Sequence, residues 1–256
     1  MNSQIMLFTP EHGSFLIRLV LAHVLSDFIL QSNKMVQNKG WLTRSMLFHI
    51  IGVYMSTALI TGWWFGSALI ALLHYLIDGL KIKAQQNPFL SAMKLFIADQ
   101  LLHITVLIIA WAWHFDLWQQ LEVAYRLPFT DYRLSLILLG YVLVTLPVGM
   151  VIKLATKKIR KSTLEGIENE HGVQNNTNEN GGRIIGIFER IIILTFVLLG
   201  QYEAIGFLIT GKSIIRFADK DSHLRSEYVL VGTMMSYAIC ILVGVGINCL
   251  LKIFIA

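Results

Sequence analysis

Seven histidine and aspartate residues stand out because they lie inside otherwise apolar segments of the N-terminal part of the chain. On insertion scales an ionisable group within a membrane span costs about 2.5 kcal/mol or more, so each such residue needs a partner or a function. Six of the seven form pairs spaced four residues apart, which places both members of a pair on one face of a helix. The residues are His23 and Asp27, His74 and Asp78, Asp99 and His103, and the single His49.

Imidazole and carboxylate groups together are typical ligands of a divalent metal ion, and no cysteine lies among these segments. We expect Zn²⁺ as the ion, with Mn²⁺ or Fe²⁺ as the alternatives that these ligands also bind. A carboxylate outside the ligand set would act as general base, and Asp27 or Asp99 suits that role. A structural hydrogen-bonded network and a proton or ion path stay open as other interpretations. The predicted metal ligands are His23, His49, His74, Asp78 and His103.

The elements that must position these residues are membrane-spanning helices. Hydrophobic residues make up 55% of the 256 residues and charged residues only 14%, whereas soluble domains usually carry about 25% charged residues. Several apolar runs reach the roughly 20 residues that cross a bilayer core, where an open backbone must be helical. The fold class is therefore all-α, a polytopic transmembrane helix bundle of about seven spans, at 14–31, 45–62, 64–82, 95–113, 134–153, 184–209 and 228–254.

The distribution of lysine and arginine predicts the orientation of the spans. These residues are concentrated in the loops after spans 1, 3 and 5, which is typical of the cytoplasmic side. The N-terminus is then outside, and the His/Asp residues fall in the cytoplasmic half of the bilayer. Residues 156–183, rich in Lys, Glu, Asn and Gly, predict a flexible cytoplasmic linker between a five-span region, 1–155, and a two-span region, 184–256. Residues 184–209 either cross once or bend at Gly200 and return.

The net charge of +5 does not predict a nucleic-acid partner, because the basic residues lie in short loops and form no face interleaved with aromatic residues. The expected partners are the lipid bilayer and an anionic small molecule or lipid substrate. For the lysines, the alternative is that each extends to the lipid headgroups. For the arginine beside Glu189, the alternative is a structural ion-pair network. The residues predicted to bind the anionic group are Lys39, Lys81, Arg190, Lys212 and Arg216.

Several of these segments resemble a known family. The strings HVLSDFILQ (His23 to Gln31), HYLIDGLK (His74 to Lys81) and ADQLLH (Ala98 to His103), with the later GIFER and GKSIIRF, look like the DUF3307 family of bacterial membrane proteins. The resemblance runs from about residue 16 to residue 217, apart from the linker. It implies a multi-pass protein of the bacterial inner membrane and implies no activity.

Two functions from different classes fit these residues. The first is a membrane-embedded, metal-dependent hydrolase of an anionic substrate that is lipid-linked or carries phosphate, in which the metal activates a water molecule. The second is a metal- or proton-coupled transporter that uses the same cluster as its transit site. A scaffold that binds a partner protein through residues 156–183 is a third interpretation, and it leaves the cluster unexplained.

Overall fold

The structure, a computed structural model, describes residues 7–156, 179–217 and 223–255. Every element in these ranges is helical, as the all-α fold class predicts. The chain divides into two compact units, Met1–Arg126 and Leu127–Ala256. We call them unit 1 and unit 2 and describe each by itself.

Unit 1 contains the His/Asp residues and is built from four long helices with short connecting elements. Helix α1 packs against α3 and α5, and α4 packs against both α3 and α5. One short segment after α1 is a π-helix, in which each turn holds an extra residue. The elements are α1 (Pro10–Val24), the π-helical segment (Leu25–Leu30), α2 (Asn33–Gln37), α3 (Arg44–Thr61), α4 (Trp64–Ala84), α5 (Ala92–Phe115) and α6 (Trp118–Thr130), which runs across the boundary between the units.

Local sequence explains where the helices of unit 1 begin and end. The side chain of Thr43 accepts a hydrogen bond from the backbone N–H of Met46 at the start of α3, and Ser91 caps α5 in the same way. Gly62 ends α3 with a φ of 77°, a left-handed conformation that glycine adopts without strain. A tight connection to α4 follows, so α3 and α4 are antiparallel neighbours.

The apolar core of unit 1 lies toward one end of the four helices. Phe15 and Leu19 of α1 pack with Ile70 of α4 and with Leu107 and Trp111 of α5. These side chains are almost fully buried, although the outer faces of the same helices expose many large apolar residues. An apolar outer face is what a bilayer requires, because lipid and not water surrounds it.

Unit 2 is a second helical cluster. Helices α7 and α9 pack against each other and against α11, and α8 contacts both α9 and α11. Val144, Ile193, Leu194, Val197 and Tyr237 form part of its core. Its elements are α7 (Tyr132–Thr145), α8 (Pro147–Ala155), α9 (Glu179–Leu198), α10 (Tyr202–Phe217) and α11 (His223–Ile255).

Five of the described helical stretches are long and apolar enough to cross a membrane. Helix α3 is not among them, because residues such as Arg44 and His49 lower its hydropathy, and the predicted number of about seven spans is not confirmed. Residues 184–209 do not form one helix, since α9 ends at Leu198 and Gly200 has a φ of 72° before α10 begins. The helix break at Gly200 that the second alternative requires is therefore present, and the return of the chain to the same side of the membrane stays a prediction. The five stretches are Pro10–Leu30, Trp64–Ala84, Ala92–Phe115, Tyr132–Ala155 and Val231–Ile253.

The division into units differs from the expected five-span and two-span regions. Helices α7 and α8, which cover the predicted fifth span, pack with α9 and α11 inside unit 2. The pairing follows from the packing of apolar faces, which linker composition does not report. Most of the predicted linker, residues 157–178, lies outside the described residues, whereas its last residues already belong to α9.

Candidate metal centre

The four long helices of unit 1, with the π-helical segment that carries Asp27, bring all seven His and Asp residues into one cluster. The rings of His74 and His103 have centroids 4.0 Å apart, and those of His49 and His74 are 5.0 Å apart. His23 completes the set, with its ring stacked 5.1 Å from that of His103. Every member is buried except Asp27, which is partly exposed. The regular four-residue spacing on α4 and α5 turns both pairs toward the same interior.

Three ligand atoms form a compact triangle at the centre of the cluster. The Nε2 atoms of His49 and His74 are 3.0 Å apart. Asp78 Oδ2 lies 3.3 Å from the first of these nitrogens and 3.4 Å from the second. These three side chains form a group that could hold a metal ion. They come from α3 and α4, so the antiparallel packing of these two helices creates the triangle.

Asp27 approaches the same two nitrogens from the π-helical segment. Its Oδ1 lies 3.3 Å from His74 Nε2 and 3.7 Å from His49 Nε2. The buried hydroxyl of Ser26 lies 3.4 Å from this oxygen, although its shorter hydrogen bond, at 2.9 Å, is donated to the backbone carbonyl of His23. π-Helical turns are rare and are frequent at functional sites, because the extra residue re-aims a side chain. Asp27 is thus the carboxylate beside the triangle that is also partly accessible.

The second part of the cluster is built around Asp99 and His103 on α5. His103 Nδ1 donates to the backbone carbonyl of Asp99 at 2.9 Å, which leaves Nε2 as the atom with a free lone pair. As oriented, the Gln100 amide accepts from His23 Nε2 at 3.4 Å and donates to Asp99 Oδ2 at 3.2 Å. Gln100 therefore orients two members of the cluster. Asp78, Asp99 and His103 form a further group that could hold a metal ion.

The two lysines predicted to bind substrate contact the carboxylates of the cluster. Lys39 Nζ lies 2.6 Å from Asp78 Oδ2, and Lys81 Nζ lies 2.8 Å from Asp99 Oδ2. The Lys39 side chain is 11% exposed and that of Lys81 is 27% exposed, so Lys81 is the more accessible of the two lysines. Both ammonium groups compensate buried negative charge, and their role toward a substrate stays a prediction.

A glycine and a tryptophan fix the loop that carries Lys39. The ring of Trp41 lies directly over Gly79 on α4, where a Cβ would be 2.5 Å from the ring. Trp41 also packs edge-on against Tyr75 at 5.7 Å, and the Tyr75 hydroxyl donates to its carbonyl at 2.9 Å. Residue 79 must therefore be glycine for the loop to close here, one residue after the metal-ligand candidate Asp78.

Two of the three basic residues of unit 2 that are predicted to bind the anionic group have structural partners. Lys212 Nζ contacts both carboxylate oxygens of Glu189, at 2.6 and 2.7 Å. Arg190 is buried and donates to the backbone carbonyls of Val144 and Thr145, at the junction of α7 and α8. The side chain of Arg216 lies outside the described part of the chain. The substrate-binding role of these three basic residues stays a prediction.

Sequence patterns gave little indication of some neighbours of the cluster. Ser26 was not singled out, and the only signal was its position next to Asp27. The contact of Trp41 with Gly79 joins residues of two different elements and has no local signature. The hydrogen bond of Gln100 with His23 depends on how α1 and α5 pack.

Comparison with known protein families gave a match for one part of the chain. Residues 15–127 match the family model described as "Protein of unknown function (DUF3307)", a range that contains all seven His and Asp residues. Comparison with curated proteins and with solved structures gave no match. The GIFER and GKSIIRF strings lie after residue 127, outside the matched range.

Proposed function

Residues 15–127 belong to the DUF3307 family, whose description states no function, and from the site itself we propose that this protein is a membrane-embedded, metal-dependent hydrolase. The protein is helical, has apolar helices of membrane-spanning length and carries buried His/Asp groups that could bind metal. The proposal adds the bound ion, the reaction and the substrate class to these observations.

The observation that carries the proposal is the size of the triangle formed by His49, His74 and Asp78. Ligands about 2.0–2.1 Å from a tetrahedral zinc ion lie roughly 3.3 Å from one another. The three sides, 3.0, 3.3 and 3.4 Å, agree with that spacing. Hydrogen bonds between such atoms are usually about 2.7–3.2 Å long. Only the His–His distance falls in that range, so a hydrogen-bonded network accounts for the triangle less well than a metal does.

The ligand set favours Zn²⁺ in a catalytic arrangement. Two histidines and one carboxylate, with a fourth position left for water, are a known ligand set of zinc hydrolases. Asp27 lies 3.3 and 3.7 Å from the two ring nitrogens, beside the region where a fourth ligand would be. Mn²⁺ or Fe²⁺ would accept the same ligands and stay alternatives.

The side chains at and beside the triangle can supply the metal ligands and the general base that hydrolysis needs. When bound, the ion lowers the pKa of a coordinated water toward 7 and polarises the bond to be cleaved. Asp27 then takes one proton from the water, whose oxygen forms the new bond to phosphorus or to an acyl carbon. The bond to the leaving oxygen breaks, and Asp27 returns the proton to that oxygen.

An anionic substrate, lipid-linked or phosphate-bearing, agrees with the charges and the setting of the site. Lys81 is 27% exposed beside Asp99, so one edge of its ammonium group can still meet an anion. The exposed apolar faces of α1, α4 and α5 would place the site next to lipid. We further propose a multi-pass location in a bacterial inner membrane, with the N-terminus outside and residues 156–183 in the cytoplasm, from the lysine and arginine distribution.

The test combines metal content with turnover. Full-length protein is purified in detergent without chelator, its metal is measured by mass spectrometry, and phosphate release from phosphatidic acid in mixed micelles is followed. The matched variant is Asp27→Asn, which keeps the size of the side chain and removes the proposed base. We expect at least one equivalent of metal in both proteins and a loss of turnover of about 10²-fold or more in the variant.

Wild-type protein without stoichiometric metal would refute the metal site and the hydrolase together. If the protein binds metal and transports it across a vesicle membrane, but hydrolyses no phosphate or acyl ester, the transporter is favoured instead. Equal turnover in wild type and Asp27→Asn would remove Asp27 from the reaction and leave the metal site in place.

A further inference from the structure

The cluster contains more ligand atoms than the triangle uses. Asp99 Oδ1 and His103 Nε2 are both buried and have no hydrogen-bond partner among the described residues. Buried polar atoms are normally paired, and an isolated one costs about 1–3 kcal/mol. The lone pair on His103 Nε2 follows from the donor role of Nδ1, which is fixed by the Asp99 carbonyl. A donor, a water molecule or a cation is needed beside these two atoms.

A small cavity opens beside this histidine. It has about the size of one water molecule, and its lining includes His23, His74 and His103 with Thr57 and apolar residues. Neither Asp78 nor Asp99 lines it, so it offers room for a water beside the histidines and is not itself the place of an ion. Asp78 belongs to two of the three groups of possible ligands, one with His49 and His74 and the other with Asp99 and His103; the third group is His23, Asp27 and His74. A carboxylate shared in this way is the usual bridge of a two-metal site, whose ions lie about 3.5–4 Å apart.

Resting on the proposed function, we infer that the site is binuclear, with a second divalent cation held by Asp78, Asp99 and His103. The carboxylate of Asp78 bridges this ion to the first one at His49 and His74. His103 is prepared for this role in the way metal-binding histidines usually are, with its other ring nitrogen held by a carbonyl. Gln100 donates to the other oxygen of Asp99 and so orients the unpartnered one, whereas Lys81, 2.8 Å from that other oxygen, places a positive charge beside the site.

The net charge of the cluster determines under which conditions the second ion binds. Three carboxylates (Asp27, Asp78 and Asp99) against two ammonium groups (Lys39 and Lys81) leave one negative charge if the histidines are neutral. One divalent cation changes this to one positive charge, and a second cation would raise it to three. Such an excess is costly in a buried, membrane-facing site. The second ion therefore binds together with an anion, and a phosphate group carrying about two negative charges offsets most of the excess.

The experiment is a titration with Mn²⁺ of the full-length, chelator-stripped protein, with and without inorganic phosphate. Bound equivalents are counted by equilibrium dialysis, and the electron paramagnetic resonance spectrum reports exchange coupling between two close ions. We expect one equivalent without phosphate and two coupled equivalents with it. Asp99→Asn and His103→Ala should each lose the second equivalent and keep the first. The same titration in nanodiscs with and without phosphatidic acid then shows whether the phosphate of a lipid can take the place of inorganic phosphate.

Lys81→Met is a variant whose expected effect cannot result from misfolding, because we expect it to bind the second Mn²⁺ more tightly than the wild type. Removal of the ammonium group, which lies 2.8 Å from Asp99 Oδ2 and repels a cation, should raise the affinity for the second Mn²⁺ at least about tenfold. Lys83→Met, an exposed position two residues further along α4, is the matched control and should change nothing.

One equivalent under both conditions would overturn the second site and leave the proposed function intact. A second equivalent that survives His103→Ala, or that binds equally well without phosphate, would also overturn the inference. Absence of any bound metal would refute the proposed function as well.

Discussion

His49 and His103 allow a matched test of the metal centre. Both can be replaced by alanine, but only His49 is a member of the triangle of ligand atoms. Both side chains are 3% exposed, so replacing either ring by alanine removes the same buried volume. His49 Nε2 lies within 3.0 to 3.7 Å of three other ligand atoms. His103 Nε2 has no hydrogen-bond partner in the described chain and lies outside the triangle.

The magnitude follows from the number of ligands. Structural zinc sites with four ligands bind with about 10–16 kcal/mol, which is roughly 3–4 kcal/mol for each ligand. Loss of one ligand should therefore weaken the first metal about 10²- to 10³-fold, since 1.4 kcal/mol is tenfold in affinity. His49→Ala should show this loss. His103→Ala should change the dissociation constant of the first ion by less than about tenfold.

The assay is competition between the detergent-solubilised protein and a fluorescent zinc chelator, in phosphate-free buffer. Thermal unfolding of the metal-free proteins is measured in parallel, so that differences in folding are separated from differences in binding. Equal losses of affinity in the two variants, at equal stability, would refute the assignment of His49 and not His103 to the first ion.

Three further predictions concern the surroundings of the site and unit 2. Arg190→Gln should lower the stability by about 3–5 kcal/mol, because two hydrogen bonds from a charged donor to backbone carbonyls are lost; unchanged denaturant unfolding would contradict this. Gly79→Ala should cost about 1–3 kcal/mol and displace Trp41, since the new Cβ would lie 2.5 Å from the indole; the measurement is tryptophan fluorescence with thermal unfolding, and an unshifted spectrum would contradict the contact. In a variant without the native cysteines, a cysteine at Gln86 should react with a membrane-impermeant thiol reagent only from the cytoplasmic side and one at Glu122 only from outside; the opposite pattern would reverse the predicted orientation.

The amino-acid sequence alone was enough to predict the helical class and to select the seven His and Asp residues that the structure brings together in one cluster. Low charge and long apolar runs require helices, because an unpaired backbone is not tolerated in lipid. The four-residue spacing of His74 with Asp78 and of Asp99 with His103 is a local property of a helix, so it could be recognised before any packing was known. The rarity of charge in these runs made the same residues conspicuous.

Only the tertiary structure decided which atoms meet. Two sides of the triangle join His49 to residues 25 and 29 positions further along the chain, and these two sides depend on the packing of α3 against α4; only the side between His74 and Asp78 lies within one helix. The same holds for the lysines, which the sequence assigned to a substrate and the packing places on Asp78 and Asp99. The π-helical turn that carries Asp27 had no sequence signal that we could identify. Local patterns depend on neighbouring residues, whereas these contacts depend on the distances between helices, which no spacing within one helix encodes.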